Sequence, residues 1–236
     1  MKRQILTLVA GLALGCSLGA GQQGQAGFSS DLRAEHLLNL DTLKAQLKQY
    51  HECTCKCGCY AKDLDAQADR AIGYLHQRAA HRRPAEKLAL VLDIDETTLS
   101  NYEEMQKADF AYDSKAFNAW VESARGVAIP GTLRLFQEAK RAGVSVFFLT
   151  GRPETQRPAT ERNLKAQGFD GWQQLILRSA HQSSETAEEY KSTERVKIVA
   201  AGYKIILSLG DQWSDLKGKP EAEYSVKYPN PYYLIP

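Results

Sequence analysis

Asp93-Ile94-Asp95-Glu96-Thr97 follows the apolar run Leu88–Leu92. Two carboxylates two residues apart at the end of a buried strand can divide one reaction between them. Asp93, where the run ends, can attack a phosphorus atom and become an aspartyl-phosphate. Asp95 can protonate the leaving oxygen as general acid and then activate water as general base. Carboxylates that face phosphate oxygens repel them, so this chemistry calls for a hard cation such as Mg²⁺. Alone, Asp-x-Asp also fits a calcium loop, a sugar-nucleotide metal motif or a solvated turn.

Three further segments supply what the pair lacks. Thr150-Gly151-Arg152 follows the run Val144–Leu149. A hydroxyl and backbone N–H groups there can hold a phosphoryl oxygen, and glycine allows close approach of the backbone. Lys191 offers a cation to balance transition-state charge on those oxygens. Gly210-Asp211-Gln212-Trp213-Ser214-Asp215 follows the run Ile205–Leu209 and adds two carboxylates that can complete an Mg²⁺ site. Taken singly, these read as an ordinary turn, a solvated lysine and a helix cap. Their order along the chain is what gives them weight.

The runs that carry these residues are continuous and apolar, as strands buried on both faces must be. A fourth run, Leu175–Leu177, is shorter. Helical patterns over 132–142, 158–167 and 188–201 separate them, punctuated by Gly143, Pro158, Gly168 and Gly202. Strands alternating with helices imply a parallel sheet under helices. Ligands bind beyond the carboxyl ends of such strands. Upstream, leucines at helical spacing predict a helix over 31–50 and a second over 62–80. The segment 101–130 shows no strand pattern and reads as a small helical cap. Its aromatics, Tyr102, Phe110, Tyr112, Phe117 and Trp120, suit a substrate pocket or the cap's own core equally. The tail from Tyr228 to Pro236 reads as an extended strap.

Composition bounds the remaining possibilities. The 236 residues hold 30 Lys and Arg against 28 Asp and Glu, a net charge of +2. No basic surplus is available for a nucleic-acid polymer. Residues 1–15 carry Lys2-Arg3 and then an apolar run too short to span a bilayer, the pattern of an export signal. Ala13-Leu14-Gly15-Cys16 partly matches a lipoprotein cleavage box, which would lipidate Cys16 and anchor the chain to the outer membrane. Ordinary cleavage nearby is the alternative. Either reading exports the protein, to the periplasm, the outer membrane or the medium. Residues 16–30 are rich in small and polar types and suit a flexible tether.

In that order, Asp-x-Asp-Glu-Thr, Leu-Thr-Gly-Arg, Tyr-Lys-Ser and Gly-Asp-Gln-Trp-Ser-Asp resemble the haloacid dehalogenase superfamily. The likeness covers about residues 31–236 and is closest to the acid phosphatase branch, with its bacterial secreted phosphatases and plant vegetative storage proteins. It implies an α/β fold: a Rossmann-like parallel sheet flanked by helices, with a small cap at about 101–130 and an N-terminal helical extension. It also implies a secreted, Mg²⁺-dependent acid phosphatase acting on small phosphate monoesters. Asp93 would be the nucleophile and Asp95 the acid/base. Thr150 and Gly151 would bind phosphate, and Lys191 would stabilise it. Asp93, the Asp95 backbone carbonyl and Asp211 would hold the metal, with Asp215 in support. Transfer to an alcohol acceptor is one alternative. A storage or metal-binding surface protein on the same fold is another, although the nucleophilic aspartate that some storage relatives lack is present here.

Cys53-Thr54-Cys55-Lys56-Cys57-Gly58-Cys59 stands apart from that family pattern. A hairpin around Lys56–Gly58 could pair Cys53 with Cys59 and Cys55 with Cys57. The same thiols also suit a soft metal such as Cu(I) or Zn²⁺, with His51 and Glu52 adjacent. An exported protein meets an oxidising compartment, so disulfides, within or between chains, are the favoured reading.

Overall fold

The computed structural model describes residues 38–53 and 59–235. The leader, Cys16 and the tether lie outside those residues, as do Cys55 and Cys57. From Asn39 onward the chain forms one compact unit.

Helix α1 spans Leu40–Glu52 and α2 spans Tyr60–Ala80. The Asn39 side chain opens α1 by accepting the Asp41 N–H at 2.9 Å, which satisfies one of the helix's unpaired donors. Strand β1, Lys87–Leu92, follows. Next come the two-residue strand β2 (Leu99–Ser100), helices α3 (Tyr102–Lys107) and α4 (Ser114–Ser123), and a second two-residue strand, β3 (Val127–Ala128). β2 and β3 pair antiparallel, so the stretch 101–130 does contain a strand, one too short to show a pattern in sequence. Helix α5 (Pro130–Arg141) begins with proline, whose missing N–H costs nothing in a first turn. Then β4 (Ser145–Pro153), α6 (Arg157–Ala166), β5 (Gln174–Arg178), α7 (Ala187–Ala200), β6 (Tyr203–Gly210) and β7 (Tyr224–Lys227) complete the chain.

Five strands form one parallel sheet in the order β5-β4-β1-β6-β7. The four apolar runs supply its first four members. The fifth, β7, lies at an edge with two exposed residues, and its four residues gave no signal of their own. Successive side chains on a strand point to opposite faces, and β1 shows this directly. Leu88, Leu90 and Leu92 enter a core with Leu64 and Leu75 of α2 and Leu135 and Phe136 of α5. Ala89 and Val91 enter a second core with Phe147 and with Tyr190 and Ile198 of α7. The sheet therefore lies between two helical layers. The chain leaves β1 towards β4 on one side, and leaves β6 towards β7 on the other. This reversal opens a crevice between the ends of β1 and β6.

A disulfide joins Cys53, the C-cap of α1, to Cys59, the N-cap of α2, with Cα atoms 5.5 Å apart. It secures a helix that otherwise buries no residue fully. Lys44, earlier in α1, pairs with Asp109 at 2.5 Å, and the last turn makes further contacts with the rest of the fold. His51 stacks on Tyr102 with ring centres 3.3 Å apart and hydrogen-bonds the Tyr232 hydroxyl, while Glu52 accepts from the Tyr102 hydroxyl at 2.9 Å. Burial pushes His51 down to about 4, against the pull of Glu52, so the ring is neutral near pH 7. Replacing both Cys53 and Cys59 by serine is expected to cost roughly 2 kcal/mol, the chain-entropy value for so short a loop. The melting temperature should then fall by roughly 4–8 °C, since 1 kcal/mol moves a domain of this size by about 2–4 °C. Calorimetry without reductant checks this, and an unchanged transition would contradict the cross-link.

Candidate active site

Asp93 is the first residue after β1, and Asp211 the first after β6. The sequence thus places one carboxylate on each side of the crevice. Both are buried, and both line a cleft of about 590 Å³ together with Asp95, Gly151, Arg152, Lys191 and Asp215. The cleft's outer wall comes from α3, α4 and the C-terminal strap, through Met105, Phe110, Phe117, Tyr232 and Tyr233. The aromatics of 102–120 thus divide. Phe110, Tyr112 and Phe117 line the cleft, whereas Tyr102 and Trp120 line a second pocket with His51 and Tyr60.

Lys191 lies in the second turn of α7, a helix that starts with a reciprocal cap between Thr186 and Glu189. This is not a solvated lysine. It is 5% exposed, and its Nζ bonds Asp93 Oδ1 at 2.6 Å and Asp215 Oδ1 as well. Burial disfavours its charge, but Asp215 and Asp93 outweigh burial and raise its pKa. Asp215 comes close because residue 210 is glycine. A Cβ at Gly210 would stand 2.3 Å from the Asp215 side chain. The other Asp215 oxygen accepts the Gln212 N–H at 2.8 Å.

Asp93, Asp211 and Asp215 each offer an oxygen within 4.8 Å of the others. Burial pushes Asp93 well above the usual carboxylate range. Lys191 opposes this, and Asp215 and Asp211 add to it. Asp211 is pushed up to about 7, by burial and then by Asp215. Three buried carboxylates facing one ammonium are short of positive charge. An all-oxygen donor set with that deficit fits a hard divalent cation. Asp211 is held in place by Thr97 Oγ1 at 3.1 Å, Gln212 Nε2 at 2.6 Å and Asn230 Nδ2 at 2.7 Å, the last from the strap.

Asp95 has a different environment. Arg152 donates from Nε to both of its oxygens at 3.1 Å and from Nη2 to Oδ1 at 2.6 Å. Asn101 Nδ2 adds a bond to Oδ1 at 2.8 Å. Burial works against ionisation of Asp95, but the Arg152 charge and these bonds prevail and hold its pKa below the ordinary value. Two carboxylates two residues apart are thus driven in opposite directions by their neighbours. Between Asp95 and Asn101 the chain turns back sharply, with Glu96 at φ 56°, a conformation costly for a residue with a side chain. The Glu96 carboxylate compensates by accepting from the Asn101 N–H at 2.6 Å, Asn101 Nδ2 at 3.1 Å and the Tyr233 hydroxyl at 2.9 Å.

Among the phosphate-binding candidates, Gly151 lines the cleft, and a Cβ there would meet open space. Thr150 is fully buried, and its hydroxyl accepts the Arg152 N–H at 3.2 Å. Arg152 stands in the Thr150-Gly151-Arg152 segment with no role legible from its position, and Asn101, Asn230 and Tyr233 belong to no motif in the sequence. Tyr233 and Glu96 are 137 residues apart, a separation no local pattern spans. His181 is exposed and away from the cleft lining.

The chain is similar to known proteins over most of its length. A family profile described as HAD superfamily, subfamily IIIB (acid phosphatase) matches residues 17–236. Acid phosphatase 1 of Solanum lycopersicum is 41% identical over 148 residues, which cover 61% of this chain and 58% of that protein. The stem 28 kDa glycoprotein of Glycine max is 34% identical over 176 residues, covering 72% and 68%. Vegetative storage protein 1 of Arabidopsis thaliana is 29% identical over 212 residues, covering 87% and 76%. In fold, the class C acid phosphatase of Bacillus anthracis, solved with tungstate, superposes with a TM-score of 0.64 at 21% identity, covering 83% of this chain and 86% of that one. With two aspartates after the first strand, a buried lysine and a second aspartate pair after β6, the chain belongs to the acid phosphatase subfamily, IIIB, of the haloacid dehalogenase superfamily.

Proposed function

We propose that this protein is an exported, Mg²⁺-dependent phosphatase that hydrolyses small phosphate monoesters through Asp93. The observation that carries this is Asp93 itself: a buried carboxylate at the strand-end crevice, bonded by Lys191 and clustered with Asp211 and Asp215. An Asp93 carboxylate oxygen attacks phosphorus as the bond to the leaving oxygen breaks, and Asp95 gives that oxygen its proton. Asp95 then takes a proton from water. The water oxygen attacks the aspartyl-phosphate, the Asp93–phosphorus bond breaks, and phosphate leaves. The first proton can enter with the substrate as its monoanion, abundant below a second phosphate pKa of about 6.

Lys191 and the Gly151 backbone are placed to receive the phosphoryl oxygens. Asp93, Asp211, Asp215 and the Asp95 carbonyl would hold Mg²⁺, which would offset the repulsion between substrate and carboxylates. The aromatic outer wall suits a leaving group with an apolar face. The aspartate at position 93, which some storage relatives lack, favours this reading over storage.

Export rests on the leader, and the Cys53–Cys59 disulfide suits an oxidising compartment. Among the described residues no helix is long and apolar enough to cross a membrane.

Phosphate release from an aryl phosphate tests the activity. Turnover is expected with Mg²⁺, and treatment with a chelator should lower it by about 10²-fold or more, in line with the large charge-stabilising role of such ions. Restoring Mg²⁺ should restore the rate. A folded, Mg²⁺-supplied protein silent from acidic to neutral pH would contradict the proposal. Adding an alcohol and measuring phosphorylated alcohol against free phosphate separates hydrolysis from transfer.

A further inference from the structure

Asn101 is wholly buried, and its side-chain amide meets three partners, the consecutive acids Asp95 and Glu96 on one side and Trp120 on the other. Its carbonyl oxygen accepts the indole N–H of Trp120, in α4, at 2.9 Å. Its NH₂ group donates to Asp95 Oδ1 at 2.8 Å and to Glu96 Oε2 at 3.1 Å. An amide has one accepting and one donating end. Turned over, it would set its oxygen against two carboxylates and its NH₂ against another N–H. Trp120 and the two acids therefore fix one orientation. Trp120 is itself held, buried at 6% exposure, with the Arg125 guanidinium 4.9 Å over its ring.

The two oxygens of Asp95 consequently differ. Oδ1 accepts from Asn101 Nδ2, from Arg152 Nη2 at 2.6 Å and from Arg152 Nε at 3.1 Å. Among the described residues, Oδ2 accepts only from Arg152 Nε, at 3.1 Å. A proton on Oδ1 would displace charge-assisted bonds, whereas a proton on Oδ2 displaces almost none. The Asp95 side chain keeps 21% exposure and lines the cleft.

We propose that Asn101, held by Trp120, is a positioning residue that saturates Asp95 Oδ1 and so makes Oδ2 the oxygen that delivers the proton to the leaving group. The inference rests on the phosphatase reading above. In the transfer, the Oδ2–H bond breaks as the phosphorus–oxygen bond breaks, and the leaving oxygen gains the proton. The same contact joins Asp95 to α4, whose Phe117 and Asn118 line the cleft. The helix that meets the leaving group thus also orients the group that protonates it.

The test compares two esters in the whole protein with Mg²⁺. The 4-nitrophenolate of 4-nitrophenyl phosphate departs readily without a proton, whereas the alkoxide of glycerol phosphate does not. Trp120→Phe keeps a buried aromatic ring while removing the N–H together with part of the indole, and Asn101→Ala removes the amide. General acid catalysis contributes about 10²–10⁴-fold, and kcat/KM reports only the steps through leaving-group departure, before Asp95 acts as base, so misplacing the acid should cost kcat/KM on glycerol phosphate about 10- to 100-fold. On 4-nitrophenyl phosphate the loss of kcat/KM should stay below about 3-fold, because its leaving group needs no proton and no binding group has been removed. If Asn101→Ala does not fold, Trp120→Phe still decides. Equal proportional losses of kcat/KM on the two esters, or no loss on either, would overturn the positioning role while leaving the phosphatase reading intact. A wild-type protein silent on both esters would overturn the phosphatase reading and this inference with it.

Discussion

Asp93→Asn is expected to lower turnover of any phosphate monoester by about 10⁴-fold or more, because removing a covalent nucleophile costs at least that much in comparable enzymes. The fold should not suffer. Asparagine has the same shape, and its amide relieves a site in which three carboxylates crowd one lysine. Burial already holds Asp93 well above the ordinary carboxylate range, so losing its charge removes an unfavourable feature. Lys191 keeps its bond to Asp215. Thermal stability without metal should therefore be equal to the wild type or higher, whereas stabilisation by added Mg²⁺ should shrink with one carboxylate charge gone. Turnover assays and melting curves with and without Mg²⁺ check all three outcomes. Near-normal activity would remove Asp93 from its proposed role.

Lys191→Met is expected to damage both stability and activity. Methionine fills similar space but leaves Asp93 and Asp215 buried without their shared cation. Removing one partner from a buried ion pair costs about 3–5 kcal/mol, since the remaining charge has lost its compensation. The loss should be largest in the presence of a chelator, and saturating Mg²⁺ should recover part of it by supplying charge to the same carboxylates. Activity with Mg²⁺ should fall by about 10²–10³-fold, the range for deleting one charge-stabilising donor in a desolvated site. Denaturant titration measures the first effect and initial rates the second. A variant as stable as the wild type in chelator would mean that Lys191 does not neutralise this cluster.

Much of the fold could be read from the chain because buried parallel strands leave an unmistakable mark. β1, β4, β5 and β6 are apolar on both faces, since helices cover both. The same fact located part of the site, because Asp93, Thr150 and Asp211 stand where those runs stop. Lys191 was found by its place before the last apolar run, although its burial between two aspartates could not be read there. β7 escaped because an exposed edge strand of four residues needs no apolar run. The β2–β3 pair escaped because two residues make no period.

The supports of the site were hidden for another reason. Arg152 grips Asp95 across 57 residues, Asn230 reaches Asp211 across 19, and Tyr233 reaches Glu96 across 137. Such contacts depend on how the strap and the strand ends meet in space, which local spacing does not record. The cysteine cluster lies between these extremes. The pairing of Cys53 with Cys59 was one of the arrangements open to the sequence, and the cross-link brings the last turn of α1 against Tyr102 and Tyr232.

The most direct test of covalent chemistry at Asp93 is to trap it. The protein is mixed with a phosphate monoester, quenched in acid within one turnover and reduced with borohydride, which converts an acyl phosphate to an alcohol. Peptide mass analysis then reads the side chain at each aspartate. The account predicts homoserine in place of Asp93 and unmodified Asp95, Asp211 and Asp215. Reduction at another aspartate, or turnover with Asp93 never modified, would contradict it.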